Sequence, residues 1–179
     1  MDQEKTVIQQ VLRGDIDSFR LLVERYQGPV IRIVKNIIED NHICEDIAQD
    51  VFFTAYKKLG TFDSARSNFS TWLFTIARNK SINAIKKKKT LSLSKLPEKL
   101  DSCNPSEALS EKELFDKLDE VLQSLASRYE RALVLAEFEK LSYQEIAQIE
   151  GVRIGTIKSR INRAKKKLFS ALKDFEAEL

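Results

Sequence analysis

The chain has 179 residues, 42% of them hydrophobic and 32% charged, and a formal net charge of +3. That length and apolar content allow one packed domain or two small ones and exclude a disordered chain. Five glycines and three prolines are too few turn residues for a β-sandwich or barrel and favour helices. The small net charge conceals a division. Residues 78–89 hold six basic residues and no acid, and residues 153–167 hold seven and no acid, leaving 17 basic against 27 acidic residues elsewhere. Two cationic segments on an acidic body point first to nucleic acid as partner.

No apolar run approaches the ~20 residues of a membrane span, and the polar start Met1-Asp-Gln-Glu-Lys does not resemble a signal peptide. Cys44 and Cys103 match no metal or redox spacing, and His42 beside Cys44 has no further ligand near it in sequence. The expectation is a cytoplasmic protein with reduced thiols, no metal and no cofactor.

The hydrophobic pattern predicts helices almost throughout. Residues 3–13 form a first short helix ending near Gly14. Phe19, Leu22, Val23 and Tyr26 follow at helical spacing, and Gly28-Pro29 predicts a break before Val30, Ile33, Val34, Ile37 and Ile38 resume the stripe. A third helix spans about 43–59, with Ile47, Ala48, Val51, Phe52 and Ala55 on one face. Residues 60–68 read as a polar loop. A fourth helix runs from about 70 to 88, its apolar positions being Leu73, Ile76, Ala77 and Ile85. Residues 90–109, with Pro97 and Pro105 and no periodicity, read as a flexible linker. Three Ser-x-x-Glu capping boxes follow, at Ser110–Glu113, Ser127–Glu130 and Ser142–Glu145. They predict helices near 111–125, 128–139 and 143–150, before a last one over about 155–175.

The segment 142–167 is the most informative. Ala147 allows close helix approach, and Gly151, four residues later, supplies the left-handed position of a turn. Val152 returns to the core, and a second helix starts near Gly155-Thr156. This is the helix-turn-helix layout. The second helix has an apolar stripe, Ile157, Ile161, Ala164 and Leu168, and a polar one, Thr156, Ser159, Arg160 and Arg163, flanked by Lys158 and Lys165–Lys167. Such a helix suits the major groove. Arg160 and Arg163 are the candidates for base edges, and the lysines, Lys158 and Lys166 among them, for phosphates. The bland alternative is a basic surface helix held by its apolar stripe.

The first cationic segment follows Asn68-Phe69-Ser70-Thr71-Trp72-Leu73-Phe74. Aromatics interleaved with cations suit single-stranded nucleic acid, whose unstacked bases need a platform. The competing reading makes these aromatics core.

These residues carry a resemblance. Asp46-Ile-Ala-Gln-Asp-Val-Phe-Phe-Thr-Ala-Tyr56, Phe62-Asp63 and Phe69-Ser-Thr-Trp-Leu-Phe-Thr-Ile-Ala-Arg-Asn79 are similar to region 2 of bacterial RNA polymerase sigma factors. Leu141-Ser-Tyr-Gln-Glu-Ile-Ala147 with Gly155-Thr-Ile-Lys-Ser-Arg-Ile-Asn-Arg-Ala164 resembles region 4. The short linker between them matches the extracytoplasmic-function class. The resemblance implies an all-α protein of two small helical domains, region 2 over 1–89 and region 4 over 110–179, joined by residues 90–109. It further implies that Glu45, Asp46, Gln49 and Asp50 dock on the β′ clamp helices of core RNA polymerase. Asn68, Phe69, Ser70, Thr71 and Trp72 would capture the −10 strand, with Arg78, Asn79, Asn83, Lys86 and Lys87 facing the upstream duplex. Thr156, Lys158, Ser159, Arg160, Arg163 and Lys166 would read the −35 element, and region 4 would also touch the β flap. The linker would thread toward the polymerase active-site cleft, and an anti-sigma factor is an implied partner. The chain departs from the usual pattern in having Asn83 and the lysine run 86–89 where arginines and an Asp are common, and Leu125-Ala126 for Leu-Pro. A sigma mimic that sequesters an anti-sigma factor would have lost the basic face retained here. A simple repressor would leave the acidic helix unexplained. With one His and no phosphate-binding glycine loop, nothing suggests enzymatic chemistry.

Overall fold

The computed structural model describes residues 2–38, 40–91, 121–122 and 124–178. Among these residues all regular structure is helical, and they belong to two compact units. The expected linker 90–109, nearly all of the helix expected over 111–125 and the capping box at Ser110 lie mostly or wholly outside the described residues.

The N-terminal unit contains α1 (Asp2–Leu12), α2 (Phe19–Lys35), α3 (Asn41–Lys58), a 3-10 turn (Leu59–Thr61) and α4 (Phe69–Leu91). Helices α2, α3 and α4 pack pairwise, and α1 lies on α2 and the 3-10 turn. Gly14 ends the α1 connection with φ +104°, a conformation reserved in practice for glycine. Tyr26 on α2 donates its hydroxyl to the Glu4 carboxylate on α1. Burial first, then the Glu4 hydrogen bond and charge, raise the Tyr26 pKa above its ordinary value.

The expected break at Gly28-Pro29 does not occur: α2 runs through it with Pro29 in its interior. A proline there costs about 3 kcal/mol. The carbonyl that loses its helical donor is that of Arg25, on the exposed side of the helix. Against that cost, Phe19, Leu22, Tyr26, Val30, Ile33 and Val34 form one buried stripe on both sides of the proline. At about 1.5–3 kcal/mol per buried side chain, the stripe outweighs the proline.

Helix α3 starts two residues before the expected position because Asp40 caps it. The Asp40 carboxylate accepts from the backbone N–H groups of His42 and Ile43 at 3.1 and 3.3 Å. Its inner face, Ile47, Ala48, Val51, Phe52 and Ala55, is buried as its periodicity predicts, and Cys44 is buried with it. The Cys44 thiol donates to the Ile38 carbonyl, and burial raises its pKa. On α4, Leu73, Phe74 and Ala77 are buried, but Ile85, expected on the apolar stripe, is exposed.

The C-terminal unit contains α5 (Ser127–Glu137), α6 (Tyr143–Glu150) and α7 (Ile154–Glu178). Its core takes Ala132, Leu133 and Leu135 from α5, Ile146 and Ala147 from α6, and Ile157, Ile161 and Ala164 from α7. Two helix starts with the same Ser-x-x-Glu sequence behave differently. At Ser142 the box is complete: Ser142 Oγ accepts from the Glu145 N–H at 3.3 Å, and the Ser142 N–H donates to Glu145 Oε2 at 2.8 Å. At Ser127 no side chain caps the helix. The cap position falls on Ala126, extended at φ −61° and ψ 135°. Ser127 is therefore already inside the first turn, where its hydroxyl cannot serve the third helical N–H.

Candidate nucleic-acid and polymerase interfaces

The turn between α6 and α7 is built from Gly151, Val152 and Arg153. Gly151 takes φ +63°, and the Val152 N–H donates back to the Ala147 carbonyl at 3.1 Å. That six-residue bond closes the helix end and releases the chain into α7. On α7, Ile157, Ile161 and Ala164 are buried while Thr156, Lys158, Ser159, Arg163 and Lys166 are exposed and Arg160 is half-buried. One helix therefore carries a packed stripe and a cationic, hydroxyl-bearing stripe turned to solvent.

Three basic groups of α7 are tied to their own unit. Lys165 Nζ lies 2.7 Å from Glu137 Oε1 of α5, a pairing that raises the lysine pKa and lowers that of the carboxylate. Lys167 Nζ donates to the Ser124 carbonyl at 2.9 Å. Arg163 Nη1 donates to the Tyr129 hydroxyl at 3.2 Å. The cationic field of the segment is thus larger than its set of uncommitted donors.

In the N-terminal unit, Glu45, Asp46, Gln49 and Asp50 all project from the exposed side of α3. Asp50 is not free: its carboxylate lies 2.6 Å from Lys80 Nζ of α4. Phe53, absent from the expected docking set, extends the same side one turn further and is 57% exposed, with Lys57 Nζ 4.1 Å from its ring centroid. The signal was available, since position 53 lies off the buried stripe and four residues beyond Gln49.

The start of α4 corrects the expected −10 set. Phe69 and Thr71 are buried, at 2% and 0% exposure, so neither presents a surface or a hydroxyl to a partner. Phe69 is the centre of an aromatic cluster, its ring centroid 5.6 Å from Tyr26, 5.5 Å from Phe62 and 5.6 Å from Trp72. Trp72 and Ser70 are half-buried and Asn68 is exposed. The Asn68 carbonyl accepts from the Trp72 N–H, opening the helix. Further along, Asn79, Asn83, Lys86 and Lys87 are exposed, spaced on one face, and Arg78 is half-buried. No group of three or more potential metal ligands occurs among the described residues, and no helix among them is long and apolar enough to cross a membrane.

Comparison with known proteins identifies the family. Residues 22–90 match the family model Sigma-70 region 2, and residues 115–168 match Sigma-70, region 4. The ECF RNA polymerase sigma factor SigW of Bacillus subtilis is 33% identical over 182 residues, covering 95% of this chain and 97% of its own. The RNA polymerase sigma-H factor of Pseudomonas aeruginosa is 32% identical over 190 residues, covering 96% and 94%. Among solved structures, the sigma factor RpoE of Bartonella quintana, in complex with the anti-sigma factor NepR, superposes with a TM-score of 0.72 at 26% identity, over 87% of this chain and 96% of that one. The chain belongs to the sigma-70 family of RNA polymerase sigma factors. Within that family it is a sigma factor of the extracytoplasmic-function class.

Proposed function

We propose that the two units divide promoter recognition between them, as region 2 over residues 1–89 and region 4 over 110–179, with 90–109 as the connection. Helix α3 docks on the β′ clamp helices of core RNA polymerase through Glu45, Asp46, Gln49 and Asp50. Asn68, Ser70 and Trp72 hold the −10 strand, and Arg78, Asn79, Asn83, Lys86 and Lys87 follow the upstream duplex. Helix α7 enters the −35 major groove, Thr156, Ser159, Arg160 and Arg163 facing base edges and Lys158 and Lys166 facing phosphates. Region 4 also touches the β flap. The chain works in the cytoplasm, performs no catalysis itself and is restrained by an anti-sigma factor, as the Bartonella relative is bound by one.

The observation that carries this reading is the two-faced α7 behind the Gly151 turn. Its buried Ile157, Ile161 and Ala164 fix which side faces outward, and that side holds Thr156, Ser159 and Arg163. Runoff transcription with purified core polymerase and fragments of the source genome is the test. Defined transcripts that require the chain support the reading. Failure to initiate at any fragment, with core binding intact, would favour the sequestering mimic.

A further inference from the structure

Tyr129 and Arg128, at the start of α5, belong to none of the interfaces assigned above. The Tyr129 hydroxyl accepts from Arg163 Nη1 of α7 at 3.2 Å and from Arg128 Nη2 at 3.3 Å. The Arg128 guanidinium carbon also sits 4.9 Å from the Tyr129 ring centroid. Among the described residues neither guanidinium has a carboxylate partner: the ion pairs of this unit engage other residues. Two like charges thus converge on one neutral oxygen, on the flank of a helix whose exposed side is already basic. Both lone pairs of the phenol oxygen are occupied by arginine, which leaves its own proton available to an acceptor from solvent or a partner. The two arginines hold the pKa of this phenol below its ordinary value, the Arg163 hydrogen bond first and the Arg128 one second.

We infer that the DNA surface of the C-terminal unit continues from α7 onto the start of α5, where Arg128 contacts a backbone phosphate and Tyr129 is a positioning residue that holds Arg163 toward the duplex. The occupant is the phosphodiester backbone, because the cluster offers guanidinium and hydroxyl donors and no acceptor charge. The Arg163–Tyr129 bond places the first turn of α5 against the exposed flank of α7, where a groove-bound helix meets the flanking phosphates. A guanidinium already ordered by Tyr129 also loses less freedom on meeting DNA than one swinging on a free side chain. The inference rests on the reading of α7 as the duplex-reading helix.

The test uses holoenzyme, assembled from the full chain and core polymerase. The probe is a double-stranded fragment that wild-type holoenzyme selects from a library randomised over the −35 element, beside the same fragment with that element permuted. Arg128→Ala should weaken both fragments alike and reduce the slope of log K against log salt by about 0.9, the signature of one lost phosphate contact. Arg128→Lys should restore the slope, since it restores the charge. Tyr129→Phe keeps the ring and its packing. It should weaken the selected fragment about threefold to tenfold and add no further loss on top of Arg163→Ala. Thermal unfolding of each variant at the wild-type midpoint confirms that the fold is kept. An unchanged salt slope in Arg128→Ala, or simple additivity of Tyr129→Phe with Arg163→Ala, overturns the inference. Should Arg160→Ala and Arg163→Ala also leave binding untouched, the reading of α7 falls first. Loss with Arg160→Ala but none with the α5 variants removes only the extension proposed here.

Discussion

The two basic helices, α4 and α7, look alike in composition and are built in opposite ways at their starts. Helix α7 buries three small or aliphatic side chains, Ile157, Ile161 and Ala164, and leaves Thr156, Lys158, Ser159 and Arg163 to solvent. Helix α4 begins by turning its side chains inward. Phe69, Thr71, Leu73 and Phe74 are buried, and only Asn68, Ser70 and part of Trp72 remain at the surface. Phe69 and Phe74, next to cations in sequence, are therefore not a platform next to cations in space. In α4 the aromatics anchor the loop from which the helix starts, and the polar face appears only from Asn79 onward.

That contrast can be broken by mutation, and the largest effect lies on the buried side. Phe69→Ala should cost about 3–5 kcal/mol, the usual range for deleting a core aromatic. Denaturant unfolding should show the loss in the N-terminal unit, with Ile157-centred packing in the other unit untouched. A cost under 1 kcal/mol would mean that Phe69 is not the anchor. Arg160→Ala tests the opposite case. It should leave stability within about 0.5 kcal/mol and remove about 1–3 kcal/mol of binding at the −35 element, relaxing base choice there. Equal binding of the selected and permuted duplexes by the wild type would contradict base reading by α7.

Gly151→Ala sharpens the comparison from the backbone. A Cβ at this position meets nothing within 4 Å, so only the positive φ penalises it. The expected cost is about 1–2 kcal/mol, read as a lower melting temperature of the C-terminal unit. The smallest effect is pH-dependent. The folded Tyr26 pKa is raised above its unfolded value. Its stabilisation is present below the ordinary tyrosine range and fades as pH rises through it toward the folded value. Tyr26→Phe should flatten that alkaline decline in unfolding experiments and leave a small loss at neutral pH from the missing bond to Glu4. An unchanged alkaline slope would show that another group titrates there.

What sequence reading recovers depends on whether neighbours along the chain decide the outcome. The α6–α7 turn was legible because Ala147, Gly151 and the spacing of Ile157, Ile161 and Ala164 are local. The inner face of α3 was legible for the same reason. At the start of α4 nearly every position is apolar or small, so periodicity cannot say which side faces in. The burial of Phe69 is settled by Tyr26 and Phe62, which come from elsewhere. The pairs Asp50 with Lys80 and Tyr129 with Arg163 are 30 and 34 residues apart, beyond any local rule. Ser127 and Ser142 share a motif, and only the position of the first helical residue separates a formed cap from an absent one. At Pro29 a local breaker is overridden by the buried stripe that spans it.

The continuity of α2 across Pro29 has a consequence for how the N-terminal unit forms. With one rung missing from its ladder, the segment 19–35 holds together through its side chains more than through its backbone. In isolation it should be a poor helix, split near Arg25 and short on both sides. It becomes one rod only when α3 and α4 cover Leu22, Tyr26, Val30 and Val34. Helix α2 is then expected to complete late in folding, with low φ-values along its stripe. Substitutions along its stripe should act mainly on the unfolding rate and leave the folding rate nearly unchanged.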